Sequence, residues 1–146
     1  MLVGFPIGLW VFALVCDIVA STGATGPWRT VAFYSVAGGI VGAVIAAVPG
    51  LIDYFSIDEA IMKRIATFHL VANVSAVLIF AVNLWCRLKL PATSAVPLIL
   101  SIVGVAAIGI GGWLGGEMVY VKGMAVDPVE NSAMKAKEQS RLRRVS

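Results

Sequence analysis

The chain has 146 residues, 60% of them hydrophobic and only 13% charged, with a net charge of +3 and a mean hydropathy of +0.94. A water-soluble domain carries about 25% charged residues, so an aqueous globular fold is excluded and no nucleic-acid partner is expected. A single bilayer crossing uses about 20 apolar residues, and four crossings would consume most of this chain. Cys16 and Cys86 stand apart, with no CxxC and no Cys/His spacing that reads as a metal site. They are read as two thiols in or near lipid.

In chain order, the first span is expected over residues 2–20, interrupted by Pro6 near its start and Asp17 near its end. A proline in the first turn costs no hydrogen bond, because that amide has no helical partner. No Lys or Arg precedes Arg29, so the basic region of a signal peptide is missing and the segment is read as a retained span. A turn-rich connection, Ser21-Thr-Gly-Ala-Thr-Gly-Pro27, leads into a second span over 30–52. Pro49-Gly50 is expected to kink or end that helix, and the polar stretch 53–64 reads as an amphipathic surface helix. A third span covers 65–85 and stops at Arg87-Leu-Lys89 before Pro91; a fourth covers 96–121. The domain division is therefore a transmembrane domain over 1–121 and a basic cytoplasmic tail over 122–146.

Connections this short force neighbouring spans to run antiparallel, which gives an all-α, polytopic four-helix transmembrane bundle with both termini on one side. Lys63, Arg64, Lys122, Lys135, Lys137, Arg141, Arg143 and Arg144 fall on the face of the termini and the second loop. Arg29, Arg87 and Lys89 fall on the other. The positive-inside rule then places both termini on the cytoplasmic side. Trp28 and Trp85 mark the outer interface, Tyr54 and Tyr120 the inner one.

Ionisable residues on spans cost about 2.5–3.5 kcal/mol at mid-depth, so each needs a reason. The topology gathers Asp53, His69, Glu117 and Lys122 at the inner face, with Asn73 one turn beyond His69 on the same side of its helix. Two uses fit that cluster: helix-end residues bonding one another and reaching to water, or a proton-handling or ligand site. The first is favoured near an interface. His69 and Asn73 read as an interhelical hydrogen-bonding pair. Asp17 lies toward the outer face, where Asn83, Arg87 or Arg29 can pair with it. Small residues recur at GxxxG spacing: Gly4/Gly8, Gly38/Gly42, Gly111/Gly115 and Gly112/Gly116. Together they point to close helix packing, with oligomerisation as the second use.

Leu2-Val-Gly-Phe-Pro-Ile-Gly-Leu-Trp10, Asp17, Pro49-Gly-Leu-Ile-Asp-Tyr54, His69 with Asn73, and Gly112-Trp-Leu-Gly-Gly-Glu-Met-Val-Tyr120 occur in that order. With these motifs the chain resembles, over residues 2–126, the bacterial four-span membrane family known as domain of unknown function 2231. The resemblance implies a four-span fold and no settled activity; some members are fused to iron–sulfur domains, which hints at membrane redox chemistry. Members typically carry histidine where Gly4 and Lys122 stand here, and His69 is the one retained. A bis-histidine haem or a His-rich metal site cannot be built from this chain alone.

The expectation is a non-catalytic accessory or structural subunit, held in lipid beside the protein subunits of a larger electron-transfer or photosynthetic complex. No cofactor is expected. One alternative is a haem- or pigment-binding redox protein centred on His69, and another is a small proton-coupled transporter using Asp17 and the inner carboxylates.

Overall fold

The computed structural model describes residues 2–120, with side chains described as far as Glu117. Lys122 and the basic tail over 122–146 lie outside the described residues, as does the side chain of Tyr120. Four helices follow in order: α1 (Gly4–Ser21), α2 (Trp28–Phe55), α3 (Ala60–Lys89) and α4 (Val96–Tyr120). Each is long and apolar enough to cross a bilayer, and the described residues contain no strand. At 1.5 Å per residue, α1 spans about 27 Å and α3 about 45 Å, against a hydrocarbon thickness of about 30 Å.

The helix ends are set by local chemistry. Ser21 Oγ and Thr22 Oγ1 donate to the Ile18 and Val19 carbonyls (2.6 and 2.8 Å), satisfying acceptors at the end of α1. Gly23 then turns the chain at φ 80°, a conformation that residues with a Cβ rarely adopt. At the other end of the bundle, Lys63 Nζ donates to the Tyr54 and Ile57 carbonyls (2.7 and 3.3 Å) and sits over the Tyr54 ring. A cation there complements the C-terminal end of α2.

Of the two outcomes expected at Pro49-Gly50, a kink or a stop, the stop is corrected: Pro49 lies inside α2, which continues to Phe55. A proline removes a single amide donor, and an apolar helix in lipid accommodates that loss. The stretch 53–64 is not a separate surface helix: its start finishes α2 and its end, from Ala60, opens α3.

Contacts fix the register. Gly42 faces Phe5, Gly38 faces Leu9 and Gly39 faces Trp10, so α1 and α2 run antiparallel. Gly104 faces Phe80, Gly111 faces Asn73 and Gly115 faces His69, so α3 and α4 do likewise. These two hairpins close into a four-membered ring through α1–α4 and α2–α3 contacts. Across the diagonal, α1 and α3 meet through side chains at two levels, Trp10 with Phe80 and Asp17 with Arg87. That shared offset makes the diagonal helices parallel.

The stripes behind this register repeat at spacings of three and four. On α3 they are His69, Asn73, Ala76, Phe80, Asn83 and Arg87; on α4, Ser101, Gly104, Ile108, Gly111 and Gly115. Alternation of three and four averages 3.5 residues, the period of left-handed helix pairing. At the bundle centre, Trp10 and Phe80 stack with centroids 4.3 Å apart and planes 6° from parallel. Gly39 backs the tryptophan and Gly104 the phenylalanine; a Cβ at Gly104 would lie 2.6 Å from the Phe80 ring. Trp10 Nε1 donates to the Val36 carbonyl (3.3 Å), so the indole is satisfied inside the apolar core.

The polarity is that of a protein dissolved in lipid. Asp17, Ser35, Asn83 and Ser101 are buried, while Val44, Ile52, Leu78, Ile110 and Trp113 are exposed. Apolar side chains on the outside leave no hydrophobic drive between helices, so small residues and buried hydrogen bonds do the joining.

Candidate functional site

Two polar clusters lie inside the bundle, one toward each end. Outer and inner merely denote the ends bearing the α3–α4 and α2–α3 connections, respectively; the outer cluster forms where α1, α3 and α4 meet. Asp17 sits on the last full turn of α1, Asn83 and Arg87 on successive turns of α3, and Ser101 on the second turn of α4. Arg87 Nη2 donates to Asp17 Oδ2 in an ion pair whose two side chains are only 7% and 6% exposed. Arg87 Nε donates to Asn83 Oδ1 (2.7 Å), and Arg87 Nη2 also reaches Ser101 Oγ (3.3 Å). The serine hydroxyl donates to the same Asp17 oxygen (2.7 Å). Asn83 Nδ2 donates to Ser101 Oγ (2.9 Å) and to the Pro97 carbonyl (3.0 Å). Four side chains from three helices thus form one closed network around a neutral ion pair. A buried charge stripped of its partner is costly, so each member holds the others in place.

The inner cluster is smaller. His69 Nδ1 lies 2.9 Å from the Gly111 carbonyl, and His69 Nε2 lies 3.2 Å from Asn73 Nδ2. A carbonyl only accepts, so Nδ1 carries the proton. Asn73 Nδ2 also donates to the His69 carbonyl (2.7 Å), which leaves its second hydrogen for a bare Nε2. The imidazole is therefore the neutral Nδ1–H tautomer with both ring nitrogens engaged. Gly115 closes the remaining side: a Cβ there would fall 3.0 Å from His69 Cε1.

The residues singled out in the sequence divide accordingly. Asp17, Asn83 and Arg87 come together; His69 and Asn73 come together. Asp53 and Glu117 join neither group by hydrogen bond or ion pair among the described residues; Asp53 is exposed and Glu117 half-buried. For Asp53 the reason is axial: His69 lies nine residues into α3, about 14 Å along its axis, whereas Asp53 sits close to the end of α2. For Glu117 it is angular: Gly115 faces His69, and two residues further on, about 200° round α4, Glu117 falls on the other side of that helix. Among the glycines, Gly38, Gly42, Gly111 and Gly115 face neighbouring helices, and a Cβ at Gly112 or Gly116 would meet nothing within 4 Å among the described residues. Ser101, Gly39, Gly104 and Trp10 were not singled out. Ser101 is the one hydroxyl between Val96 and Gly109, and it continues the Gly104–Ile108–Gly111–Gly115 stripe by one step. That spacing was the available signal.

Among the described residues no group of His, Cys, Asp and Glu is arranged to hold a metal ion. Cys16 is buried and Cys86 half-buried, and both are free thiols.

These features define a four-span helical membrane protein whose interior polar groups bond one another. The profile of the family described as "Predicted membrane protein (DUF2231)" matches residues 1–128, and the chain belongs to that family. No curated protein and no solved structure matches the chain.

Proposed function

We propose that the protein is a non-catalytic accessory subunit that packs against another membrane protein in a larger bacterial complex, of the electron-transfer or photosynthetic kind. The observation that carries this reading is the outer face of α4. Gly109, Gly112 and Gly116 recur there at spacings of three and four with nothing among the described residues within 4 Å of their Cβ positions, and Trp113 beside them is 78% exposed. Glycines turned to lipid give up packing contacts, whereas glycines turned to another helix let two backbones approach closely. The second half of α2 adds to it. There Val44, Ile45, Val48, Ile52 and Phe55 stand exposed among the described residues.

The closed state of His69 counts against a haem or pigment on that residue. Axial ligation needs a free ring nitrogen, and Nε2 would first have to give up its bond from Asn73 Nδ2, although the Nδ1–H bond to Gly111 is one that a ligating histidine keeps. A proton-coupled transporter is disfavoured similarly, since Asp17 is neutralised by Arg87. We assign both termini to the cytoplasm of the inner membrane on the positive-inside distribution.

Gentle extraction from native membranes, followed by sizing and mass spectrometry of the co-purifying chains, tests the reading. The protein should travel with a second, different membrane protein, and Gly112→Leu should release it. Recovery solely as a 15.3 kDa monomer, or an association indifferent to Gly112→Leu, would overturn it.

A further inference from the structure

A cavity of about 580 Å³ opens at the outer end of the bundle, between the start of α2 and the α3–α4 connection. Its lining includes Asp17 and Arg87, so the buried network forms part of its wall. From α2 come Arg29, Thr30 and Tyr34, and from the connection Thr93 and Ser94. We propose that this cavity binds a phosphate-bearing anion, either a phospholipid headgroup or a soluble phosphate ester.

Charge is the first reason. Two guanidinium groups and one carboxylate line the cavity, leaving one positive charge in excess. Arg29 makes no ion pair among the described residues, unlike Arg87. Arginine presents a planar fork of donors matched to phosphate oxygens, and such charge-assisted bonds are about twice as strong as neutral ones.

Pre-orientation is the second. The hydrogen bonds of Arg87 run from Nε to Asn83 and from Nη2 to Asp17 and Ser101. Nη1 makes none among the described residues, yet no buried side-chain nitrogen or oxygen there lacks a partner. Nη1 is therefore the open atom of this guanidinium, held by a network that has already fixed the side chain. A ligand meets an arginine whose ordering is complete, which lowers the entropic cost of binding.

Chemistry and depth agree. The hydroxyls of Thr30, Tyr34, Thr93 and Ser94 supply neutral donors around the cations, while Phe33 and Leu98 give an apolar wall. The cavity lies at the helix ends, where headgroups meet hydrocarbon, and Trp28 in the adjoining first turn of α2 is a residue of that boundary.

The test uses the full chain purified in a mild neutral detergent, with native mass spectrometry reading bound phosphatidylglycerol and, separately, glycerol phosphate. Arg29→Gln removes the uncommitted cation without touching the Asp17–Arg87 network. Arg64→Gln, at the opposite end, removes the same charge elsewhere. Phosphatidylglycerol should bind the wild type and Arg64→Gln alike and bind Arg29→Gln at least tenfold more weakly. Glycerol phosphate showing the same pattern would identify the phosphate group as sufficient; binding of phosphatidylglycerol alone would identify a lipid site. Equal losses in the two variants, or no loss in Arg29→Gln, would overturn the proposal.

Discussion

Replacing Asp17 by leucine tests the outer network most sharply. In the wild type, Arg87 has one counter-charge, Asp17, and two neutral partners, Asn83 and Ser101, with its side chain 7% exposed. After Asp17→Leu the guanidinium keeps its neutral partners and loses its compensation. Breaking a buried pair from one side costs about 3–5 kcal/mol, or roughly 10²- to 4 × 10³-fold in the folding equilibrium at about 1.4 kcal/mol per decade. Arg87→Met leaves Asp17 with a single partner, the Ser101 hydroxyl, and should cost a similar amount. The double variant removes both charges and substitutes apolar groups of similar length, which is often nearly neutral. A double-mutant cycle should therefore return a coupling of about 6–10 kcal/mol in magnitude, the sum of the two single costs. The assay is unfolding by a denaturing detergent titrated into mixed micelles, followed by far-ultraviolet circular dichroism. Single variants that each cost less than about 1 kcal/mol, with additive effects in the double, would refute the reasoning.

The glycine seams give a paired prediction: Gly104→Ala, whose Cβ would lie 2.6 Å from Phe80, should destabilise by about 1–3 kcal/mol, whereas Gly112→Ala, with open space around it, should stay within about 0.5 kcal/mol. The same titration measures both, and equal effects would contradict the assigned faces. Trp10→Phe removes the bond to the Val36 carbonyl and part of the stacked surface, and should cost about 1–3 kcal/mol. A full-length Trp10→Phe variant as stable as the wild type would deny the stack its central place.

Much of the fold was legible because each span is a long apolar run between turn signals, and length alone sorts such runs into crossings. What escaped were the ends. Pro49-Gly50 reads as a kink or a stop, and α2 runs on through it to Phe55, since in lipid a broken helix would expose unpaired backbone. The outer cluster was partly legible. Asp17 demanded a partner and few candidates stood near, but Ser101 looks like an ordinary small residue until the α4 stripe is drawn. Asp53 and Glu117 misled because topology puts helix ends on one face without fixing depth along the axis, which separates Asp53, or the side of the helix, which separates Glu117. Gly39 and Gly104 stand outside the GxxxG pairs, and only the register against Trp10 and Phe80 shows their use.

The claim on which the account rests is that the polar interior is spent on holding helices together. His69 tests it directly, because it is the one histidine in the chain and its ring signals need no assignment among competitors. Nitrogen-15 NMR of the imidazole, on protein carrying no histidine tag and held at pH 7 in detergent or bilayer, should show Nδ1 protonated and Nε2 unprotonated but hydrogen-bonded. A ring protonated at Nε2 instead, or a nitrogen shifted by coordination to a metal or haem iron, would contradict it.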